Sequence, residues 1–218
     1  LKVLNKMNTR LKTFAFILSV LALAQPLLAQ EQEPELQTLL GSNRITFGGY
    51  GGPQVGFTKF DSRDVWLVGG RGGVLLNHSL VIGGGGFGIV NSPRFGQIDS
   101  GNGGYLEGGY GGMLVEPILW WNRVVHLSVP VLVGAGGMAY VKSLDYDNDH
   151  DRYNDNLIDS DPFFVLEPGI ELELNVVRFM RIAAGVKYRW APNLDLSDTP
   201  SDPFNGFTTT ICVKFGKF

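Results

Sequence analysis

The sequence predicts an all-β fold: one eight-stranded antiparallel up-and-down transmembrane β-barrel. Three observations predict it. From Arg44 onward the apolar residues recur at every second position, the period of a strand rather than of a helix. Eight such segments follow one another, each at least as long as the roughly 9–11 tilted residues that cross a membrane. Their connections are short at one end and mostly long and polar at the other, the plan of an outer-membrane barrel with periplasmic turns and extracellular loops.

The strands follow in order. In residues 44–60, Ile45, Phe47, Val55 and Phe57 share one parity, and Thr46, Tyr50, Gln54 and Thr58 the other. In 65–76, Trp66, Val68, Val74 and Leu76 lie opposite Arg71. Residues 80–90 form the third strand, whose run Gly83-Gly84-Gly85-Gly86 leaves its facing open. In 105–115, Leu106, Tyr110 and Leu114 are set outward, opposite an inward Glu107. In 124–140, Val125, Leu127, Val129, Val131 and Val133 alternate with His126, Ser128, Pro130 and Leu132. The pattern is clearest in 163–174, where Phe164, Leu166, Pro168, Ile170, Leu172 and Leu174 alternate with Glu167, Gly169, Glu171 and Glu173. Residues 179–190 answer with Met180, Ile182, Ala184, Val186, Tyr188 and Trp190 against Arg181, Lys187 and Arg189, and 207–218 close the set.

The short connections are Asn77-His78-Ser79, 116–123 and 175–178. The long ones are roughly 91–104, 141–162 and 191–206, with a moderate one at 60–64. An even strand number puts both termini in the periplasm. Pro53, Pro130 and Pro168 fall inside strands, where each removes a ladder hydrogen bond, so bulges are expected there.

Residues 1–29 read as a signal peptide. Arg10 and Lys12 precede the apolar run from Phe14 to Ala24, which is too short to span a bilayer, and Ala29 offers a cleavage position. Met7 is the expected native start, with residues 1–6 an over-extension. No Asp or Glu precedes Glu31. Residues 30–43 read as a short periplasmic segment, and 44–218 as the barrel.

Composition narrows the function. The net charge is −3, with 18 basic against 21 acidic residues, which argues against nucleic-acid binding. A single cysteine, Cys212, excludes a disulfide framework and any Cys-rich metal site. Glycine, 30 of 218 residues, is about twice its usual share.

The signal peptide, the eight strands, the asymmetric connections and the terminal Val213-Lys214-Phe215-Gly216-Lys217-Phe218 together resemble the small eight-stranded outer-membrane β-barrel proteins of Gram-negative bacteria. The resemblance covers about residues 44–218. It implies outer-membrane lipid as surroundings and an assembly machinery that recognises the terminal aromatic strand. One departure stands out: Ile211, Val213 and Phe215 share a parity that Phe218 does not.

Several groups are candidates for a role. Arg71, Glu107, Glu167, Glu171, Glu173, Arg181, Lys187 and Arg189 are expected on the lumen face. The interior of an eight-stranded barrel is just filled by side chains, and buried charges need partners, so a salt-bridged plug is expected. A narrow small-solute or ion channel is the alternative. His126-Leu127-Ser128 raises a further alternative, a lipid-modifying enzyme, but both polar side chains have the inward parity and a lumen hydrogen-bonding role is favoured. Asp145, Asp147, Asp149 and Asp151 supply carboxylates at every second position, which suits Ca²⁺, although the EF-hand pattern is not met. No other cofactor is expected. Trp66, Trp120, Trp121 and Trp190 fall at the strand ends, as aromatic girdles do. Gly49, Gly51, Gly70, Gly72, Gly108 and Gly112 are expected to face outward as a docking surface within a larger outer-membrane complex. Cys212 is expected inside, as packing. The favoured reading is a non-enzymatic barrel with a structural or partner-docking role.

Overall fold

The computed structural model describes residues 45–98, 102–142, 157–192, 194, 196 and 203–218. Ten strands form one antiparallel sheet: β1 (Phe47–Phe60), β2 (Arg63–Leu76), β3 (Leu80–Ile89), β4 (Arg94–Ile98), β5 (Asn102–Leu119), β6 (Val125–Ser128), β7 (Val131–Val141), β8 (Leu157–Val177), β9 (Met180–Arg189) and β10 (Gly206–Lys217). They make eight staves, because β3 with β4 and β6 with β7 are each one interrupted stave, both pairs lying along β5. The ring closes where β10 pairs β1, from Gly49↔Lys217 to Phe57↔Thr209. Neighbours in sequence are neighbours in the ring throughout. A closed sheet leaves no unpaired edge along the wall.

The strands exist because their side chains alternate between two environments. On β8, Glu167, Glu171 and Glu173 are buried while Ile170, Leu172 and Leu174 are exposed. The same holds on β9 for Arg181 and Lys187 against Ile182 and Val186. Exposed apolar side chains outside and buried charges inside invert the soluble-protein pattern.

The end carrying the termini has short turns at Asn77-His78, at 120–124 and at 178–179. Two of the four connections at the opposite, far end are long, β7–β8 and β9–β10. The β1–β2 hairpin, expected as a moderate loop, closes in two residues, Asp61 and Ser62, at φ 43° and 67°. Two successive positive φ values match the twist of a tight hairpin. The expected loops 91–104 and 141–162 are also shorter than foreseen, since β4, the start of β5 and the start of β8 extend the wall into them.

The prolines do not produce the expected bulges. At Pro53 the β1–β10 ladder skips from Gly51↔Phe215 to Gln54↔Cys212 in unchanged register. Pro130 separates β6 from β7, and β8 keeps one register along both, including Val131↔Pro168. The missing N–H groups open gaps in the ladder without adding a residue. Register shifts lie elsewhere, at Phe95/Ile98, Tyr140/Val141 and Asn175/Val177.

One stave faces the other way from its prediction. On β5 Leu106, Tyr110 and Leu114 are buried and Met113 and Val115 exposed. Glu107 therefore has the outward parity and does not belong to the lumen set. Gly108 and Gly112 share the inward parity of Tyr110 and Leu114, so they leave the expected outer surface. Gly108 also has φ +152°, a conformation L side chains rarely adopt. The long stretches of glycine on β3 and β5 carry no amphipathic signal, which is why the sequence leaves the facing of β3 open and points β5 the wrong way.

Candidate functional site

The lumen holds the chemistry, and it is stacked in layers. Nearest the termini, Tyr50, Leu75, Val81 and Ile118 form an apolar cluster with Phe218 packed against it. Phe218 stacks on Tyr50 at 6.1 Å between ring centroids, and the Arg181 guanidinium sits 4.0 Å over its ring. The parity departure of Phe218 thus turns this ring inward.

Above that cluster lies the first ionic layer. The Lys214 ammonium donates to Glu116, and to Glu173 Oε1 at 2.5 Å. Tyr50 donates its phenol proton to Glu116 Oε2 at 2.5 Å. His126 Nε2 lies 3.1 Å from Glu173 Oε2, and Arg181 Nη1 lies 3.6 Å from the same oxygen. The second layer is Arg71, which grips both oxygens of Glu171, one of them at 3.0 Å. Lys187 lies 3.7 Å from both Glu171 and Glu167. The third is Arg189, which donates to Thr58 at 2.9 Å, Thr208 at 3.1 Å and the Tyr110 phenol at 3.2 Å. Tyr110 in turn donates to Glu167 Oε2 at 2.5 Å.

Seven of the eight predicted lumen charges are therefore brought together, and Glu107 is not. Glu116, Lys214, Tyr50 and Tyr110 were missed. Lys214 was legible, because it shares the inward parity of Cys212, which is buried as expected. Glu116 was hidden by its assignment to a turn; β5 runs on to Leu119 and carries it inside. Among the described residues, the buried charged groups of the lumen are five cations (Arg71, Arg181, Lys187, Arg189, Lys214) and four carboxylates (Glu116, Glu167, Glu171, Glu173), with Arg189 also 3.8 Å from Glu167.

Carboxylate oxygens of Glu116, Glu171 and Glu173 lie within 4.8 Å of one another, a spacing that suits a metal ion. Lys214 already donates to two of them, so the protein's own ammonium serves that cluster. Asp145, Asp147, Asp149 and Asp151 lie outside the described residues. His126 and Ser128 are both buried. The ring of His126 is engaged by Glu173 and by the Arg123 carbonyl, at 3.3 Å. The Ser128 hydroxyl has no hydrogen-bond partner among the described residues.

At the far end a second apolar cluster closes the interior. It includes Phe60, Phe95, Leu106, Met138, Tyr140 and Phe163 from the wall. Ala191, Leu194, Leu196 and Phe204, from the connector between β9 and β10, belong to the same cluster and are at most 2% exposed. That connector was expected to be a polar external loop; its described apolar residues fold into the barrel instead.

The outer wall is apolar between two aromatic rings. Phe57 and Trp66 meet edge to face at 5.2 Å, Tyr188 and Phe207 at 5.1 Å, and Trp190 is exposed nearby on β8's neighbour stave. At the other end Trp120 and Trp121 occupy a turn, with Trp121 stacked on His78 at 4.7 Å. Phe47 and Phe57 are ten residues apart on β1. At about 3.3 Å per residue and a tilt of roughly 40°, that is about 25 Å of height, the apolar band of a membrane barrel. Gly49, Gly51, Gly70 and Gly72 share the outward parity of Phe47, Val55, Trp66 and Val74.

No family model matches the chain, and no curated protein matches it. Solved structures similar to it include Ail, the attachment invasion locus protein of Yersinia pestis, in complex with the heparin analogue sucrose octasulfate, at 14% identity over 78% of this chain and 97% of that one, TM-score 0.46. The N-terminal β-barrel domain of Pseudomonas aeruginosa OprF is 12% identical over 78% of this chain and 96% of that one, TM-score 0.45. Neisserial surface protein A is 7% identical over 80% and 97%, TM-score 0.43. The barrel assignment rests on the ladders of this chain itself; likenesses at these values add no weight to it.

Proposed function

We propose that this chain is a sealed, non-enzymatic outer-membrane barrel that acts through its outer wall and far-end connections. The observation that carries the reading is the filled lumen. Among the described residues, three ionic layers, with an apolar cluster beyond them at either end, occupy the barrel's interior. The apolar outer band and its aromatic rims support insertion in a bilayer. The short turns support a periplasmic position for the end with the termini. The bare backbone at Gly51 and Gly70 supports a partner-docking role for the β1–β2 wall, because small residues let membrane surfaces approach closely.

The test is conductance together with fractionation. The folded protein, recognised by faster gel migration when unheated, should sediment with outer membranes and give no discrete current steps in a planar bilayer. Stable steps from the folded barrel would replace this reading with the channel. An altered lipid A mass on overexpression would replace it with the enzyme.

A further inference from the structure

Three cations stand exposed at the end that carries the termini: Arg123, Arg178 and Lys217. Among the described residues none of their side chains makes an ion pair or a hydrogen bond. They share one arc of the rim. Arg123 lies in the turn before β6 and is held there from both sides. Its N–H donates to the Trp120 carbonyl at 2.9 Å, and its carbonyl accepts from Asn175 Nδ2 of β8 at 2.9 Å. Arg178 lies in the turn between β8 and β9. Gly216 N donates to the Phe179 carbonyl at 2.9 Å, which sets the end of β10, with Lys217, against that turn. Because β6, β8, β9 and β10 are successive neighbours, the arc spans three strand spacings, about 15 Å. No Asp or Glu among the described residues is exposed at this end. The carboxylate of the last residue, Phe218, counted in full, still leaves the arc positive. The turn Asn77-His78-Ser79, elsewhere on the same rim, holds no Lys or Arg.

The arc borders the apolar wall directly. Val124 and Phe179, each next to one of the arginines, are 68% and 62% exposed. Lys217 has the outward parity of Phe215. Below them Val125, Leu174 and Ile182 pair across three staves as one exposed apolar row. Trp120, in the same turn as Arg123, is exposed at the level where amphipathic rings meet lipid heads.

We propose that this arc is a binding site for an anionic phospholipid, of the phosphatidylglycerol class, in the leaflet that the short turns reach. The guanidinium groups of Arg123 and Arg178 and the ammonium of Lys217 take the phosphodiester oxygens, the arginines with the planar fork that suits phosphate. The acyl chains lie along Val125, Leu174 and Ile182. That row decides the occupant: an acidic soluble protein would meet the charge and leave the apolar wall beside it unused. The site rests on the reading of the outer wall as membrane-facing. The whole chain has a net charge of −3, so overall charge disfavours an anionic lipid and only the local arrangement favours one.

The test uses the full folded chain. Insertion into vesicles of phosphatidylcholine alone checks the membrane-facing wall, and its failure would sink that reading. The site is tested separately, in micelles holding equimolar phosphatidylglycerol and phosphatidylcholine with the same acyl chains, by counting retained lipids in native mass spectra. Phosphatidylglycerol should be retained at least about fivefold over phosphatidylcholine. Combining Arg123→Gln, Arg178→Gln and Lys217→Gln should abolish the preference. Combining Lys59→Gln, Arg63→Gln and Arg94→Gln, which removes as much charge from the far end, should leave it unchanged. Should the first triple variant lack the heat-dependent gel shift of a folded barrel, Arg123→Gln and Arg178→Gln serve singly, each lowering the preference at least about twofold. Inorganic phosphate should displace no more lipid than sodium chloride of equal ionic strength; displacement beyond that would make this a site for soluble anions and overturn the lipid assignment. Glu31, Glu33 and Glu35 lie outside the described residues, so the chain with all three changed to Gln is measured as well. A preference present only in that variant would overturn the lipid assignment in favour of those carboxylates. Equal retention of the two lipids by every folded form, or a preference lost equally in both triple variants, overturns the site and leaves the arc to an acidic soluble partner.

Discussion

The two arcs of the wall solve one packing problem in opposite ways. β8, β9 and β10 send seven ionisable side chains inward: Glu167, Glu171, Glu173, Arg181, Lys187, Arg189 and Lys214. The facing arc gives way to them with glycine. On β3, a Cβ at Gly85 would stand 2.8 Å from the Arg71 Cβ. On β7, a Cβ at Gly136 would stand 2.6 Å from both the Phe163 ring and the Tyr110 Cβ. A narrow barrel cannot hold long side chains from both arcs at one level. The charged arc supplies most of the charges and the glycine arc most of the room, with a few long side chains crossing from the glycine arc, among them Arg71 to Glu171, Glu116 to Lys214 and Tyr110 to Glu167.

The comparison is broken most directly on the charged arc. Glu173→Ala removes the carboxylate shared by Lys214, Arg181 and His126. Stranding buried cations costs about 3–5 kcal/mol. Glu107→Ala, on the outward parity of β5, should cost under about 1 kcal/mol, as away from the core most substitutions do. Urea unfolding from lipid vesicles, followed by tryptophan fluorescence, measures both. Equal losses would mean that the lumen pairs do not hold the barrel together.

The same contrast explains how much was legible. The facing of residues 163–174 and 179–190 was read correctly, because charges and large apolar groups alternate there without a break, although β8 begins six residues earlier than expected. The glycine arc gave no such signal. A glycine reports neither face, so Leu106, Tyr110 and Leu114 were read as lipid-facing and Glu107 as luminal. The filling role of Phe204 was unreadable for another reason: a connector's apolar residues have no period, and only the closed ring shows that they turn inward.

Lys214→Met tests whether the first ionic layer is one network. Alone it leaves Glu116 and Glu173 short of a partner, for an expected loss of about 3 kcal/mol. Adding Glu116→Gln removes one of the stranded charges. The double variant should therefore cost less than the two single changes summed, by at least about 0.5 kcal/mol. Strict additivity in the same urea measurement would separate Glu116 from Lys214.

A smaller loss is expected on the glycine arc. Gly136→Ala forces a methyl against the Phe163 ring, and overpacking of this kind costs about 1–3 kcal/mol. Combining it with Phe163→Leu should recover part of that loss. Failure to recover would mean that the backbone carbonyl of Gly109, also 2.5 Å from the added methyl, sets the limit.

The smallest effect belongs to the outer face. A Cβ at Gly51 meets nothing within 4 Å, and its neighbour across the β1–β2 ladder is Gly72. Neither space nor backbone angle requires glycine at this position. A glycine also loses more conformational freedom on folding than alanine, by roughly 0.5–1 kcal/mol. Gly51→Ala should therefore leave the isolated barrel as stable as before, or more stable by a few tenths of a kcal/mol. Gly51→Leu should likewise fold, since a leucine there faces lipid. If smoothness at this point serves a partner, the leucine variant should lose that partner during mild-detergent purification while the alanine variant keeps most of it. A leucine variant that folds normally and brings down the same companions as the wild type would remove the docking role from this part of the wall. Its glycines would then differ from Gly136 in a definite sense: Gly136 is required by the rings it faces, and Gly51 by nothing in the barrel itself.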